Sequence, residues 1–251
     1  HLASLYHDDV MDDADRRRGV PAAQTVWGNS VAILTGDLLF ARASQVMSRL
    51  GERAILLQAE TFMRLVLGQL HETSGPAAGV DPVAHYLQVL ADKTGSLIAA
   101  AARAGVVFSG ADDAYEQAAL QFGERVGIAF QLIDDVIDLS PSPGVTGKVP
   151  GTDLRAGVVT LPLLKLRERS ASNAADAALL QRIETELVGA TDAASGAEIV
   201  AELREHEVTA ETLAEAKRWA RDAAFALDPL PDGSVKKALI RFTETVVERT
   251  S

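Results

Sequence analysis

Apolar residues recur along the chain at intervals of three and four, the spacing of an amphipathic helix, and Gly or Pro separates the segments. Sustained alternation of apolar and polar residues, which a half-buried strand requires, does not occur. The pattern therefore predicts an all-α protein. Longer helices are predicted over 1–14, 29–50, 52–73, 82–107 and 113–139, and shorter Ala-rich helices over 160–169, 173–188, 193–206, 209–227 and 233–249.

One stretch, 140–151, breaks this pattern, because it is rich in Gly, Pro and Ser and carries Lys148 near its end. Long irregular segments inside a compact domain more often serve function than simple connection. We therefore expect a functional loop here, with a plain interhelical linker as the alternative.

Composition describes a globular protein with enough apolar material for a substantial core: 47% of the 251 residues are hydrophobic. This length favours a single domain over 1–251. A formal net charge of -11 argues against nucleic acid as a partner and allows at most peripheral membrane contact. The chain has no cysteine, which excludes disulfides and thiolate chemistry and agrees with a cytoplasmic location.

The chemistry suggested by the sequence centres on one acidic pattern that occurs twice, as Asp8-Asp9-Val10-Met11-Asp12 and as Asp134-Asp135-Val136-Ile137-Asp138. Each reads D-D-x-x-D within a predicted helix, so its first and last carboxylates lie about 40° apart on one helix face. Crowded carboxylates in apolar surroundings repel one another unless cations neutralise them. Hard divalent ions such as Mg2+ suit these oxygens, with water and phosphate oxygens completing the coordination.

A solvated acidic helix face is the alternative reading, but apolar residues surround both motifs. Basic residues also follow them, Arg16, Arg17 and Arg18 after the first and Lys148 after the second. Arginine and lysine side chains bind phosphate oxygens well. The pattern therefore indicates a site for a metal-bound diphosphate.

These blocks resemble the trans-isoprenyl diphosphate synthases. The first motif with its arginines, residues 7–21, is similar to that family's first aspartate-rich region, and 123–138 with 147–162 to its second. Intermediate blocks agree in type and order, namely Gly36-Asp37-Leu38-Leu39, Gly68-Gln69-Leu70-His71-Glu72, Lys93-Thr94-Gly95-Ser96-Leu97 and Thr160-Leu161-Pro162.

The resemblance implies an all-α isoprenoid-synthase bundle, usually a homodimer, with the two motifs facing each other across a deep central cavity. It implies head-to-tail elongation of an allylic diphosphate with isopentenyl diphosphate, dependent on Mg2+, with three ions when substrate is bound and Mn2+ as a substitute. The implied metal residues are direct ligands Asp8, Asp12 and Asp134, supported by Asp9, Asp135 and Asp138. Arg17, Lys93 and Lys148 are expected at the allylic diphosphate, Arg18 at isopentenyl diphosphate, and Thr94 and Gln131 near the reacting carbons.

Product length is expected to depend on Ala3 and Ser4, which lie five and four positions before Asp8, one helical turn deeper. In the family, a bulky aromatic residue there stops elongation early, whereas small residues let the growing tail pass. Both residues are small here, and the first motif carries no inserted pair. We therefore expect a product of about six to ten isoprene units, the floor being a further turn of about 5.4 Å down.

This chain departs from the family pattern in three places. The upstream Gly-Gly-Lys-Arg segment that binds isopentenyl diphosphate has no counterpart, since the chain opens at His1 inside an apolar pattern, so N-terminal helices are expected to be missing. Arg155-Ala156-Gly157-Val158 stands where many relatives have a second lysine, and Glu72 where glutamine is common.

Three other readings are weighed against elongation. A class I terpene cyclase usually replaces the second D-D-x-x-D, which is intact here. A non-catalytic subunit of a heteromeric synthase commonly loses an aspartate motif, and this chain keeps both. A di-iron carboxylate bundle needs paired Glu-x-x-His ligands, which the sequence lacks.

Overall fold

The computed structural model describes residues 1–140, 150–190 and 196–249, and the described residues are mainly helical. The all-α prediction is confirmed. The helices are α1 Leu2–Met11, α2 Ala23–Trp27, α3 Asn29–Met47, α4 Glu52–Ser74, α5 Pro82–Leu90, α6 Ser96–Ser109, α7 Glu116–Asp138, α8 Thr152–Arg155, α9 Leu161–Ser170, α10 Ala174–Arg182, α11 Ala197–Glu205, α12 Glu207–Ala226 and α13 Ser234–Glu248.

A hairpin, two π turns and the short helices α2 and α8 were not predicted. A hairpin of two short antiparallel strands, β1 Arg16–Arg17 and β2 Val20–Pro21, follows the first acidic motif. The predicted helix 82–107 consists of α5 and α6 joined by a turn of π-helix, Ala91–Gly95. A second π turn, Ile183–Leu187, ends the predicted helix 173–188.

Contacts within the chain divide it into two compact units, residues 1–63 and residues 64–251. Each unit is described by itself, and the expected single domain over 1–251 stays a prediction.

In the first unit, α1 packs on α3 at a glycine. A Cβ on Gly36 would lie 3.2 Å from the Ala3 carbonyl oxygen and would overlap the His7 ring. His7 Nε2 lies 3.0 Å from the Ile33 carbonyl oxygen and 3.2 Å from Asp37 Oδ1. Glycine thus lets the last turns of α1, which carry the acidic motif, lie close against α3.

In the second unit, α7 is the central element, because α6 and α12 pack along it. Val126, Leu132 and Ile133 of α7 are fully buried, and each such side chain stabilises the fold by about 1.5–3 kcal/mol. Small residues allow the close approach: a Cβ on Gly127 would lie 2.5 Å from Gly95 Cα, and one on Gly123 would overlap the backbone of Ala99. The second acidic motif ends this tightly packed helix.

A second group of buried apolar residues lies around α9, α10 and α11. It includes Leu166, Ile183, Leu187 and Leu203, all completely buried. Asn173 begins α10 with its side chain accepting from the Ala175 and Asp176 amides. Leu139, the residue after the second motif, and Leu154 of α8 belong to this group.

Candidate active site

The first motif lies at the end of α1 and extends just beyond it. Asp8 and Asp9 are on the helix, and Asp12 follows it with its backbone N–H donating to the Asp8 carbonyl oxygen at 2.8 Å. Asp8 is half-buried, Asp12 is exposed and Asp9 is buried. Asp13 next adopts a left-handed conformation, φ 49°, which turns the chain away from the helix. The carboxylates of Asp8 and Asp12 are therefore the more accessible pair.

Asp9 pairs with Arg17. The Arg17 Nε donates to Asp9 Oδ1 at 2.7 Å and its Nη2 donates to the same oxygen. The Asp9 carboxylate raises the pKa of Arg17, so this guanidinium stays charged. The pair fixes an arginine predicted at the allylic diphosphate beside the motif.

Gln24, on α2, is a residue that the sequence analysis missed. Its Nε2 donates to the carbonyl oxygens of Asp9 and Ala14, each at 2.7 Å. These bonds hold both ends of the turn that follows α1. Nothing in the local sequence distinguishes Gln24 from a surface glutamine, so only the fold reveals this contact.

Arg18 and Gly19 form the two-residue turn of the hairpin. Their φ values are 52° and 83°, the two positive angles that a type I′ turn requires. Arg17 is paired with Val20 across the strands, and Arg16 Nη1 donates to the Gly19 carbonyl oxygen at 2.8 Å. Arg18, predicted at isopentenyl diphosphate, is exposed at the hairpin tip.

The second motif places its three aspartates in different surroundings. Asp135 is buried, accepting from the Tyr86 hydroxyl at 2.7 Å and from the Leu161 amide at 3.2 Å. Burial raises the pKa of Asp135 to about 7, although both hydrogen bonds oppose that rise. Asp134 and Asp138 are half-buried.

Asp134 and Asp138 each have a partner from another element. Arg249, just after α13, approaches Asp134 Oδ1 to 2.9 Å. Asp138 Oδ2 accepts from the Asp153 amide at 3.1 Å, and its carbonyl oxygen accepts from the Gly151 amide at 2.7 Å. Asp138 thus joins the end of α7 to the start of α8. Arg249 was not predicted, since its helix reads as a solvated amphipathic face.

Lys93 and Thr94 lie in the π turn between α5 and α6, and both are half-buried. The Lys93 ammonium forms an ion pair with Glu72 of α4. Gln131 is half-buried on α7, one turn before the second motif. Lys148 lies outside the described residues.

Ala3 and Ser4 are buried on α1, with 6% and 4% of their surfaces exposed. The Ser4 hydroxyl donates to the His1 carbonyl oxygen at 2.8 Å. Both small residues therefore lie on the packed side of the helix that ends in the first motif.

Among residues 1–140, 150–190 and 196–249, no three His or acidic side chains are arranged to hold a metal ion on their own. Mg2+ is usually held in proteins by one or two carboxylates, with water and phosphate oxygens completing six positions. Asp8 with Asp12, and Asp134 with Asp138, each supply two carboxylates spaced one helical turn apart. These donor sets fit an ion that also needs substrate oxygens.

The described helices include none that is both long and apolar enough to cross a membrane.

The fold and the site together define an all-α protein with two aspartate-rich helix ends, each near cationic side chains. The chain belongs to the polyprenyl synthetase family, whose model matches residues 1–197. It is thus one of the enzymes that transfer prenyl groups and make polyprenyl diphosphates.

The chain is similar in sequence or structure to three known proteins of this kind. It is 43% identical to a nonaprenyl diphosphate synthase of Mycobacterium tuberculosis, over 99% of this chain and 73% of the relative. It is 35% identical to an octaprenyl diphosphate synthase of Haemophilus influenzae, over 99% and 74%. A geranylgeranyl pyrophosphate synthase of Corynebacterium glutamicum, crystallised with calcium and isoprenyl diphosphate, superposes with a TM-score of 0.82 at 41% identity, over 99% and 74%.

Proposed function

We propose that the chain is a Mg2+-dependent synthase that condenses isopentenyl diphosphate head to tail with an allylic diphosphate, to give an all-trans polyprenyl diphosphate. The observation that carries this proposal is the pair of intact D-D-x-x-D motifs at helix ends, each with two carboxylates that are half-buried or exposed. Membership of the polyprenyl synthetase family, whose match includes both motifs, supports it.

The metal ligands we propose are Asp8, Asp12 and Asp134, with Asp138 and the buried Asp9 and Asp135 in support. The calcium in the Corynebacterium relative supports a divalent cation, and Mg2+ is the ion that suits diphosphate chemistry. We expect three ions in the loaded site, with Mn2+ able to replace them. The metal would supply charge that stabilises the departing pyrophosphate.

Cationic side chains would neutralise the negative charge of the diphosphates that the metal leaves uncovered. Arg17, held by Asp9, would bind the allylic diphosphate with Lys93 and Lys148, and Arg18 would bind isopentenyl diphosphate. Breaking the allylic C–O bond leaves a carbocation and a pyrophosphate anion, so cationic groups aimed at that anion lower the barrier. The double bond of isopentenyl diphosphate attacks the cation near Thr94 and Gln131, and the released pyrophosphate takes the final proton. No covalent nucleophile is needed.

The product we propose has about six to ten isoprene units, because the residues one turn below Asp8, Ala3 and Ser4, are both small. Relatives named for nonaprenyl and octaprenyl products support this range. The geranylgeranyl enzyme is almost as similar in sequence, so overall identity does not decide product length, which we assign from Ala3 and Ser4.

We also propose a cytoplasmic homodimer. The surface of α3 carries exposed apolar side chains, including Ile33, Leu34 and Leu38, of which 41%, 66% and 70% are exposed. Contiguous exposed apolar surface usually marks an interaction site, and a second copy would cover it. The acidic net charge leaves no nucleic acid among the partners, and membrane contact would be limited to release of the product.

The experiment is an elongation assay of the complete chain with radiolabelled isopentenyl diphosphate, Mg2+ and allylic primers of two, three and four units, followed by product chromatography. Linear diphosphates of about six to ten units are expected, with activity lost in EDTA and restored by Mg2+. Cyclic hydrocarbons would identify a terpene cyclase instead. No incorporation by the chain alone, with activity on adding a second subunit, would identify a non-catalytic partner.

A further inference from the structure

The π turn Ala91–Gly95 carries Lys93 and Thr94. It packs closely against two helices, and each of these helices has a glycine at the contact. A Cβ on Gly68 of α4 would lie 2.9 Å from Asp92 Cβ and 3.0 Å from Lys93 Cγ. On the other side, a Cβ on Gly127 of α7 would lie 2.5 Å from Gly95 Cα. The turn therefore touches both helices at backbone distance. Single π turns are rare and often occur at functional sites.

Asp92, the residue before Lys93, is held by a cluster of polar side chains. Arg64 of α4 donates to Asp92 Oδ1 from Nε at 2.9 Å, and its Nη2 lies 2.7 Å from Glu124 Oε1 on α7. Gln88 Nε2 donates to the other carboxylate oxygen of Asp92 at 2.8 Å. One arginine thus joins α4, the π turn and α7.

Two ion pairs flank Gly68 along α4, one on each side. Arg64 precedes it by one helical turn and binds Asp92, whereas Glu72 follows it by one turn and binds Lys93. Adjacent residues of the π turn therefore reach α4 in opposite directions along its axis. This arrangement fixes both the position of the turn and the direction of the Lys93 side chain.

The cluster of Arg64, Asp92 and Glu124 is largely shielded from solvent, unlike an ordinary surface ion pair. Only 10% of the Asp92 side chain is exposed, and 28% and 29% of those of Arg64 and Glu124. Buried ion pairs often add little net stability, since desolvation offsets their attraction, but their geometry is demanding. Such a cluster is better suited to fixing a conformation than to stabilising a fold.

We infer that Arg64, Asp92 and Glu124 are positioning residues, which hold the π turn so that Lys93 is directed at the diphosphate of the allylic substrate and Thr94 at its reacting carbons. This inference rests on the proposed function of Lys93. None of the three touches the reacting atoms in this scheme, and Asp92 acts through the residue that follows it. Without substrate, the Lys93 ammonium is paired with Glu72, and a bound diphosphate would replace Glu72 as its partner.

The test compares Asp92→Asn with Glu116→Gln. Arg103 of α6 and Glu116 of α7 form an ion pair of similar burial, 24% exposed on each side, and Glu116 lies about two turns before Glu124 on α7. Binding of inorganic pyrophosphate in Mg2+ is measured by titration calorimetry on each complete chain, and melting temperature by circular dichroism. We expect pyrophosphate affinity to fall about tenfold in Asp92→Asn and to stay unchanged in Glu116→Gln, with comparable changes in melting temperature.

A double-mutant cycle separates positioning from a structural effect. If Asp92 acts through Lys93, then adding Asp92→Asn to Lys93→Ala lowers affinity no further. An equal loss of affinity in both backgrounds, or unchanged affinity in Asp92→Asn, overturns the inference. Glu124→Gln, which leaves the Arg64–Asp92 pair intact, provides a milder variant should Asp92→Asn not fold.

Hydrogen exchange distinguishes failure of this inference from failure of the proposed function. Amides 91–96 are expected to exchange faster in Asp92→Asn than in wild type, with no such change in Glu116→Gln, whether or not the chain elongates any primer. Unchanged exchange of these amides overturns the positioning role by itself. A wild-type chain without elongation activity, but with faster exchange in Asp92→Asn, refutes only the proposed function.

Discussion

The guanidinium of Arg249 lies 2.9 Å from Oδ1 of Asp134, and its Cζ atom is 4.4 Å from the centre of the Phe130 ring. Phe130 and Asp134 are one turn apart on α7, so the arginine lies across the helix face that carries a proposed metal ligand. A metal ion approaching Asp134 Oδ1 has to compete with this cation.

Arg249→Gln is therefore expected to lower the Mg2+ concentration needed for half-maximal elongation. Both side chains of the pair are 38% exposed, and such ion pairs are typically worth about 0.2–1 kcal/mol, so the decrease should be at most about fivefold. Arg241→Gln is the control, because Arg241 pairs with Glu244 and Glu248 on the same helix. A higher Mg2+ requirement in Arg249→Gln would mean that the arginine assists the site.

Substitution of Arg17 by lysine should raise the KM for the allylic primer about tenfold, because lysine lacks the planar fork that binds Asp9. Asp9→Asn should have a similar effect, and the double variant should resemble either single one, since the two residues act as a unit. Arg16→Lys, at an exposed neighbour, is the control. Additive effects of the two substitutions would favour a direct metal role for Asp9.

Tyr86→Phe removes the hydroxyl that donates to the buried Asp135. Above pH 8, where Asp135 with its raised pKa of about 7 is charged, hydrogen bonds to charged groups contribute about 1.5–3 kcal/mol, so the free energy of unfolding measured in urea should fall by that amount. Asp135→Asn in the same background tests the pairing. If the two substitutions were fully additive, the Tyr86–Asp135 bond would carry no coupling energy.

Ala3→Phe is expected to shorten the product, since a ring would stand one turn below Asp8. The added bulk at a buried position should also cost about 1–3 kcal/mol in stability. Leu2→Phe is the matched control, because Leu2 is 59% exposed and a ring there should leave product length unchanged. Chromatography of the products decides, and an unaltered product length in a folded Ala3→Phe variant refutes the role of this position.

The pH dependence of stability should include a contribution from Asp176. Arg169, at 3.0 Å, and His206, at 3.3 Å, lower the pKa of this carboxyl below its ordinary value. A depressed folded pKa stabilises the protein above the unfolded pKa of about 3.9, and the contribution disappears as the pH falls through the folded pKa. Asp176→Asn should therefore melt below wild type at pH 7, with the gap closing towards pH 3. A gap independent of pH would contradict this.

The sequence predicted the helices well because each has an apolar face that must be buried. That requirement sets the spacing of the apolar residues along the chain. Helix 52–73 was observed as Glu52–Ser74, and helix 233–249 as Ser234–Glu248. The hairpin at 16–21 was missed because two-residue strands are too short to show alternation. Its turn also uses Arg18 at a positive φ, where Asn or Asp is the usual signal.

The candidate site was predicted in part. Residue type and spacing located the aspartates, and the family resemblance suggested roles for Arg17, Lys93 and Gln131. The contacts that distinguish Asp9 and Asp135 from their neighbours come from Arg17, Gln24, Tyr86 and Leu161, which the fold brings to them. Local periodicity also did not locate the π turn, because the helical segments before and after it each show the ordinary spacing of three and four residues.

The glycine contacts along α7 also limit where a hydrocarbon product can grow. Gly123 and Gly127 bring α7 against the backbone of Ala99 and Gly95, so the two main chains meet with no side chains between them. A growing isoprenoid tail cannot pass between main chains that are in direct contact. Larger side chains at either glycine would push α7 away from α6 or from the π turn, so the constraint on both positions comes from packing alone.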